Sequence, residues 1–224
     1  MYEENNWSFG NGVSNVFDEH VRNSVPLYDL FQEEISNMSV YFSQKNTQIV
    51  DIGTSTGNLI AKLFNNNNHR NINFVGIDIE EEMIEECKKR YHDINFIVMD
   101  AVEFNYENSS VITCMLSLQF IEKHNRIKLL NKIYNQMNVG GCLFIVEKVR
   151  TPNVEIHDIY NDLYYDFKRN SFNGEEILNK NKSLRGVMKP LTLYDNFEIL
   201  KNAGFEHIDV FMKINNFAGI MAIK

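Results

Sequence analysis

Apolar residues recur along the chain with two different periods. Short runs rich in β-branched and aromatic residues predict five strands: "QIVDIG" (48–53), "NFVGIDI" (73–79), "INFIVMD" (94–100), "SVITCMLSL" (110–118) and "CLFIVEKV" (142–149). Between them, apolar positions three and four apart predict helices near 57–65, 81–91 ("EEMIEECKKRY") and 123–137 ("KHNRIKLLNKIYNQM"). Strands alternating with helices imply βαβ units and a mainly parallel sheet.

After the fifth strand the pattern changes. Pro152 stops the strand, and residues 154–190 read as helical with polar interruptions. "LTLYDNFEILKNAGF" then reads as a helix capped by Thr192 and ended by Gly204. The closing segments "EHIDVFMKIN" and "FAGIMAIK" leave no room for a crossover, so they pair as an antiparallel hairpin. The expected fold is a doubly wound α/β sheet of seven strands, five parallel plus the C-terminal hairpin, with helices on both faces. One domain is expected over 1–224, with 1–45 as an N-terminal helical cover and 154–190 as a helical lid.

At 224 residues with 44% hydrophobic content, the chain can bury the core of one α/β domain. Its net charge of -8 argues against nucleic acid or an anionic lipid surface as partner. The start, "MYEENNWSFG", has no positive region followed by an apolar core, and no window approaches the roughly 20 apolar residues of a membrane span. The expectation is a soluble cytoplasmic protein acting on a small molecule. Cys87, Cys114 and Cys142, odd in number and set in apolar runs, read as buried hydrophobes. Six scattered histidines suggest no metal site.

Candidate chemistry begins in "VDIGTSTGN", Val50 to Asn58. Gly53 and Gly57 allow a sharp turn from strand to helix and a close approach of backbone to a ligand; alone, G-x-x-x-G also fits a plain tight turn. Asp78 ends the second strand, where a carboxylate can take both hydroxyls of a ribose. Asp100 ends the third, placed to accept from an adenine amino group, with the Ala101 amide beside it. With Asp51 at the end of the first strand, three acids outline a site for an adenosine carrying an amino-acid tail. An Asp at a strand end can also simply cap the next helix. The loop lacks the Lys of a P-loop, so no triphosphate is suggested. S-adenosylmethionine (SAM) is favoured over NAD as cofactor, because the sheet layout resembles that of class I methyltransferases and the G-x-x-x-G loop fits it.

Five parallel strands closed by an antiparallel hairpin resemble the class I methyltransferase sheet. Motifs along the chain narrow this: "NWSFGNGVSNVFDEHVRNSVPLYD", "DIGTSTG", "IDIEEEMIEEC", "LSLQFIE", "KIYNQMNVGG", "EKV", "DFKRN", "NAGFEH" and "NFAGIMAIK". The chain resembles the carboxy-S-adenosylmethionine synthase family, formerly labelled tRNA (uridine-34 oxyacetate) methyltransferases. The resemblance implies that Tyr28 closes over the cofactor, that Gly53, Thr54 and Ser55 line the methionine tail, Asp78 and Ile79 the ribose, and Asp100 and Ala101 the adenine. It also implies a homodimer. Two positions depart from the family: Met115 stands where an Asn lies near the cofactor, and Asn181 where an Arg grips the carboxylate installed on it. Asn cannot make the charged bidentate grip of Arg; Lys180 and Lys182 flank it as point charges.

Three readings follow. In the first, the chain transfers the methyl group of SAM to a small acceptor, which requires mainly that donor and nucleophile be held in line. In the second, prephenate loses its carboxyl group, a SAM-derived ylide captures the carbon dioxide, and carboxy-SAM and phenylpyruvate result. Cations to hold a dicarboxylate would come from Arg22, Lys148, Lys168, Arg169, Lys180, Lys182 and Arg185. In the third, the chain is a SAM-binding subunit without turnover. The segment 154–190 is where acceptor specificity is expected: "DIYNDLYYDFKRN" offers Tyr164 and Tyr165 for a ring, with Lys168 and Arg169 beside them. The same aromatic spacing also describes a helix face packed on the sheet. Tyr165, His157 and Lys148 are the candidate catalytic side chains, with Lys148 at the sheet edge in "VEKV".

Overall fold

A computed structural model describes residues 17–224, so Trp7 and the motif "NWSFGNGVSN" lie outside the described residues. The sheet has the order β3-β2-β1-β4-β5-β7-β6. Its parallel strands are β1 (Gln48–Ile52), β2 (Asn73–Asp78), β3 (Asn95–Val98), β4 (Ser109–Met115) and β5 (Cys142–Lys148). The hairpin β6 (His207–Ile214) and β7 (Phe217–Ile223) adds to β5 through β7, antiparallel throughout, with Glu147 opposite Ala218 and Lys148 opposite Phe217.

Alternation along each strand divides the core into two layers. Ile49, Cys142, Phe144 and Val146 face one layer, which receives α1 (Phe17–Ser24), α2 (Tyr28–Phe42) and α3 (Asn58–Asn67). Val50, Ile52, Leu143 and Ile145 face the other, with α5 (Lys123–Gln136) and α8 (Leu193–Ala203). Each fully buried side chain of this kind contributes about 1.5–3 kcal/mol. α4 (Glu81–Arg90) packs beside β3, and α6 (Val154–Arg169) and α7 (Gly174–Ser183) form the helical segment after β5.

Two strands are shorter than expected. β3 stops at Val98, because Asp100 turns back to accept from Val102 N (2.9 Å) and ends the ladder. β4 stops at Met115, because Leu116 takes φ 59 and a short 3-10 turn at Leu118–Phe120 follows. α8 keeps the expected ends: the Thr192 hydroxyl accepts from Asp195 N, the Asp195 carboxylate accepts from Thr192 N, and Gly204 adopts φ 116. All three cysteines are buried and free. Among the described residues no helix is long and apolar enough to cross a membrane.

Candidate active site

Strand order reverses between β1 and β4, and at their carboxyl ends a cavity of about 490 Å³ opens. Gly53 (φ 66) and Gly57 (φ 81) make the turn from β1 into α3. A Cβ on Gly53 would lie 2.1 Å from Ser117 Oγ, and one on Gly57 2.9 Å from the Tyr91 ring, so no larger residue fits either place. Ser55, also left-handed (φ 50), donates its N–H to Asp78 Oδ2 at 2.9 Å, while Glu80 N donates to Oδ1 at 3.0 Å. Both Asp78 oxygens are thus aimed by backbone donors and keep further lone pairs.

One rim of the cavity is acidic. Asp51 is 2% exposed; burial pushes its carboxyl up to about 6, partly offset by the Thr113 hydroxyl donating at 2.6 Å. Asp78 is raised as well, first by burial. Asp100 is exposed, two residues past β3, and lines the same cavity with Ala101 and Ile79. Thr54, Ser55 and Met115 complete this side. α1 roofs it, held outside the cavity by Asp18, which accepts from Thr56 Oγ1, Asn58 Nδ2 (2.8 Å) and Arg90 Nη1 (2.7 Å). Tyr28 is buried at the start of α2, its hydroxyl made less acidic by burial and by the nearby Asp18 and Asp51 charges.

The opposite wall is cationic. Lys148 Nζ lies 4.1 Å from the centre of the Tyr164 ring; Lys168 Nζ lies 5.5 Å from that ring and 5.7 Å from the ring of Phe172. Burial lowers all three lysines here: Lys148 to about 8, with Lys168 and Arg150 adding, Lys180 to about 7, with Lys168 adding, and Lys168 itself. Cations so depressed sit where a bound anion would restore them. His20 of α1 meets the Phe172 ring at a tilt (centroids 5.2 Å apart) and is lowered by burial, then by Lys180 and Lys168. Asn181 lines the cavity, its Nδ2 donating to the Tyr165 hydroxyl at 3.2 Å.

Several expected residues stand apart. Gly57 supports the loop behind the cavity without lining it. Tyr165 does not line it either, sitting behind Asn181 and Tyr164, which do. His157 shares a helix face with Tyr164 but lies seven residues back, about 10 Å along α6, so it does not reach the cavity. Arg169 turns outward and pairs with Asp166 (2.8 Å), and Arg22 is taken by Asp29 (2.9 Å). Lys182 and Arg185 are exposed outside the lining. Conversely, His20, Ser24 and Gln32 line the cavity and were not singled out from the sequence. Gln32 carried a readable signal: it falls with Tyr28, Phe31 and Ile35 on the buried face of α2, where a polar residue needs a reason.

Glu147 and Lys148 are neighbours on β5 and point to opposite faces. Glu147 is 3% exposed on the α5 side, pushed up to about 8 by burial despite the Arg126 charge, and its Oε1 has no hydrogen-bond partner among the described residues.

The carboxy-S-adenosyl-L-methionine synthase of Staphylococcus epidermidis is 40% identical over 100% of this chain and 99% of its own length. The chain belongs to the carboxy-S-adenosyl-L-methionine synthase family. A synthase of the same name from Nautilia profundicola is 34% identical, covering 99% of this chain and 96% of that one. A family model described as "Methyltransferase domain" matches residues 49–141. The fold is shared with a SAM-dependent methyltransferase from Archaeoglobus fulgidus (TM-score 0.62, 16% identity, 94% of this chain and 99% of that one). It is also shared with human N-acetylserotonin methyltransferase in complex with SAM (TM-score 0.58, 14% identity, 97% of this chain and 60% of that one). This synthase-family member is therefore a SAM-dependent transferase of class I fold, with SAM as its cofactor. The cavity suits that group: acceptors for hydroxyls and an amine crowd one rim, and a positive-φ glycine turn brings backbone to its edge.

Proposed function

We propose that the chain makes carboxy-SAM from SAM and a dicarboxylate of the prephenate class. The observation that carries this is the convergence of Lys148, Lys168 and Lys180 on the cavity whose other rim holds Asp51, Asp78 and Asp100. Plain methyl transfer needs no anion clamp. A cofactor with a cationic sulfonium belongs against the acids, and a dianion against the lysines.

When bound, SAM supplies the methyl carbon that ends up carboxylated. In this reading Asp78 accepts from the ribose hydroxyls with the lone pairs that Ser55 and Glu80 leave, and Asp100 with Ala101 meets the adenine. Gly53, Thr54, Ser55 and Tyr28 enclose the tail, with Ile79 against the ribose and Met115 beside it. Lys148, Lys168 and Lys180 hold the two carboxylates, and the Tyr164 ring carries Lys148 and Lys168 while offering a face to a six-membered ring. Loss of one carboxyl group and of hydroxide from such a dianion leaves an aromatic keto acid; the released hydroxide takes the methyl proton as water. Asn181, tied to Tyr165, contributes a neutral amide where the family places Arg, so the lysines supply the charge. Residues 17–45 serve as cover and 154–190 as lid. A cytoplasmic homodimer completes the reading: family membership supports the dimer, and use of an intracellular metabolite supports the compartment.

The test is incubation of the purified chain with SAM and prephenate, followed by mass spectrometry. A SAM-derived product heavier by one carboxyl group, with phenylpyruvate, is expected. S-adenosylhomocysteine and a methylated acceptor would return the reading to methyl transfer, and SAM binding without any product would make this a regulatory subunit. Light scattering at a monomer mass would remove the dimer.

A further inference from the structure

Gln32 is 1% exposed, lines the cavity from α2 one turn beyond Tyr28, and its Oε1 has no hydrogen-bond partner among the described residues. Ser24 Oγ, reaching the cavity from the end of α1, is buried and equally without partner. Buried polar atoms in a folded protein are overwhelmingly paired, so orphans facing one cavity mark a place where a ligand completes the bonding.

Asp51 lines the same cavity from β1, and Tyr28, one turn before Gln32, feels its charge, which points to the kind of ligand group. Acceptors gathered around a carboxylate suit a donor that carries positive charge. SAM offers three sets of donors. Ribose hydroxyls and the adenine amino group belong with Asp78 and Asp100, at the ends of β2 and beyond β3. α2 instead packs on α3, β4 and β5, away from that edge. The donor left is the ammonium of the amino-acid tail. A half-turn of the Gln32 amide would present Nε2 instead; an ammonium, which only donates, selects the acceptor orientation.

We propose that Gln32, with Ser24 and Asp51, seats the ammonium group of the SAM amino-acid tail, with Gln32 Oε1 accepting from it. Ser24 Oγ accepts alongside, and the Asp51 carboxylate supplies the charge. The inference rests on SAM as cofactor and is independent of whether carboxylation follows.

The experiment measures binding, so it needs no turnover. Isothermal titration of the full chain and of Gln32→Met, which keeps side-chain length and removes the acceptor, is run with three ligands. S-adenosylhomocysteine carries ammonium and carboxylate, decarboxylated SAM carries the ammonium alone, and 5′-methylthioadenosine carries neither. The first two are expected to weaken by about 10- to 100-fold and the third to stay within about twofold. Equal weakening of all three, weakening confined to the ligand with a carboxylate, or no change would each overturn the proposal. Should Gln32→Met fail to fold, Ser24→Ala is titrated with the same set. A loss of about threefold to tenfold confined to the two ammonium ligands is then expected, and its absence overturns the proposal.

Discussion

The acidic rim stands on the ends of neighbouring parallel strands, whereas the lysine wall combines one strand end with two helices folded back over the sheet. Strand ends are placed by backbone ladders and stay put; Asp51 is further tied to Thr113, and Asp78 to two amides. The lysines are held by rings and by burial, and Lys168 depends on how α6 meets Phe172 and Tyr164. In the proposed reading the rim serves the adenosine-bearing cofactor, and the wall selects the second substrate.

The widest separation between the two sides should come from Lys168→Met. We expect KM for the dicarboxylate to rise about 100-fold while the Kd for SAM stays within about twofold, because only the anion loses a partner. A matching loss of SAM affinity in titration would show that the two sides are not separate. Asp78→Asn is the mirror experiment: SAM binding weakens about 30-fold, and the dicarboxylate KM at saturating SAM is unchanged. Third, pH should act on one side alone. Lys148 at about 8 and Lys180 at about 7 lose their charge as pH rises, so KM for the dicarboxylate should climb about tenfold from pH 7 to pH 9. SAM affinity over that range should stay flat, and a parallel fall would assign the titration to the acids.

The smallest effect belongs to Glu147→Gln, on the far face of β5. The folded state holds a proton on Glu147 up to about pH 8, whereas an unfolded chain loses it near 4.5. Its contribution to stability is therefore full below that ordinary value and lost as pH rises to about 8. The variant should show a flatter fall of Tm between pH 5 and pH 8, with both ligands bound as before. An unchanged slope in a thermal melt series would mean the carboxyl is already ionised.

Legibility in the sequence followed the same division. "VDIG", "GIDI" and "VMDA" could be read because strand period and glycine turns act locally, and the sheet order confirmed where those strands stand. The reach of the third and fourth strands was overestimated; in the third, an Asp that bonds its own backbone two residues on ends the ladder early. For the wall, periodicity offered seven cations and no way to choose. The choice was tertiary: Asp29 and Asp166 occupy Arg22 and Arg169, while packing of Tyr164 against Phe217 turns Lys168 inward. His157 was misplaced for the same reason, being on the correct face but two turns short.

One consequence reaches back to the C-terminal hairpin, which supplies a single cavity residue, Phe217. Its seven paired positions, ending at Glu147 opposite Ala218 and Lys148 opposite Phe217, lock β5 against sliding. A slip of one residue would exchange the two neighbours, sending the ammonium into the dry layer beneath α5 and a carboxylate into the lysine-lined wall of the cavity. The last strand of the chain thus sets the sign of the charge that greets an incoming substrate.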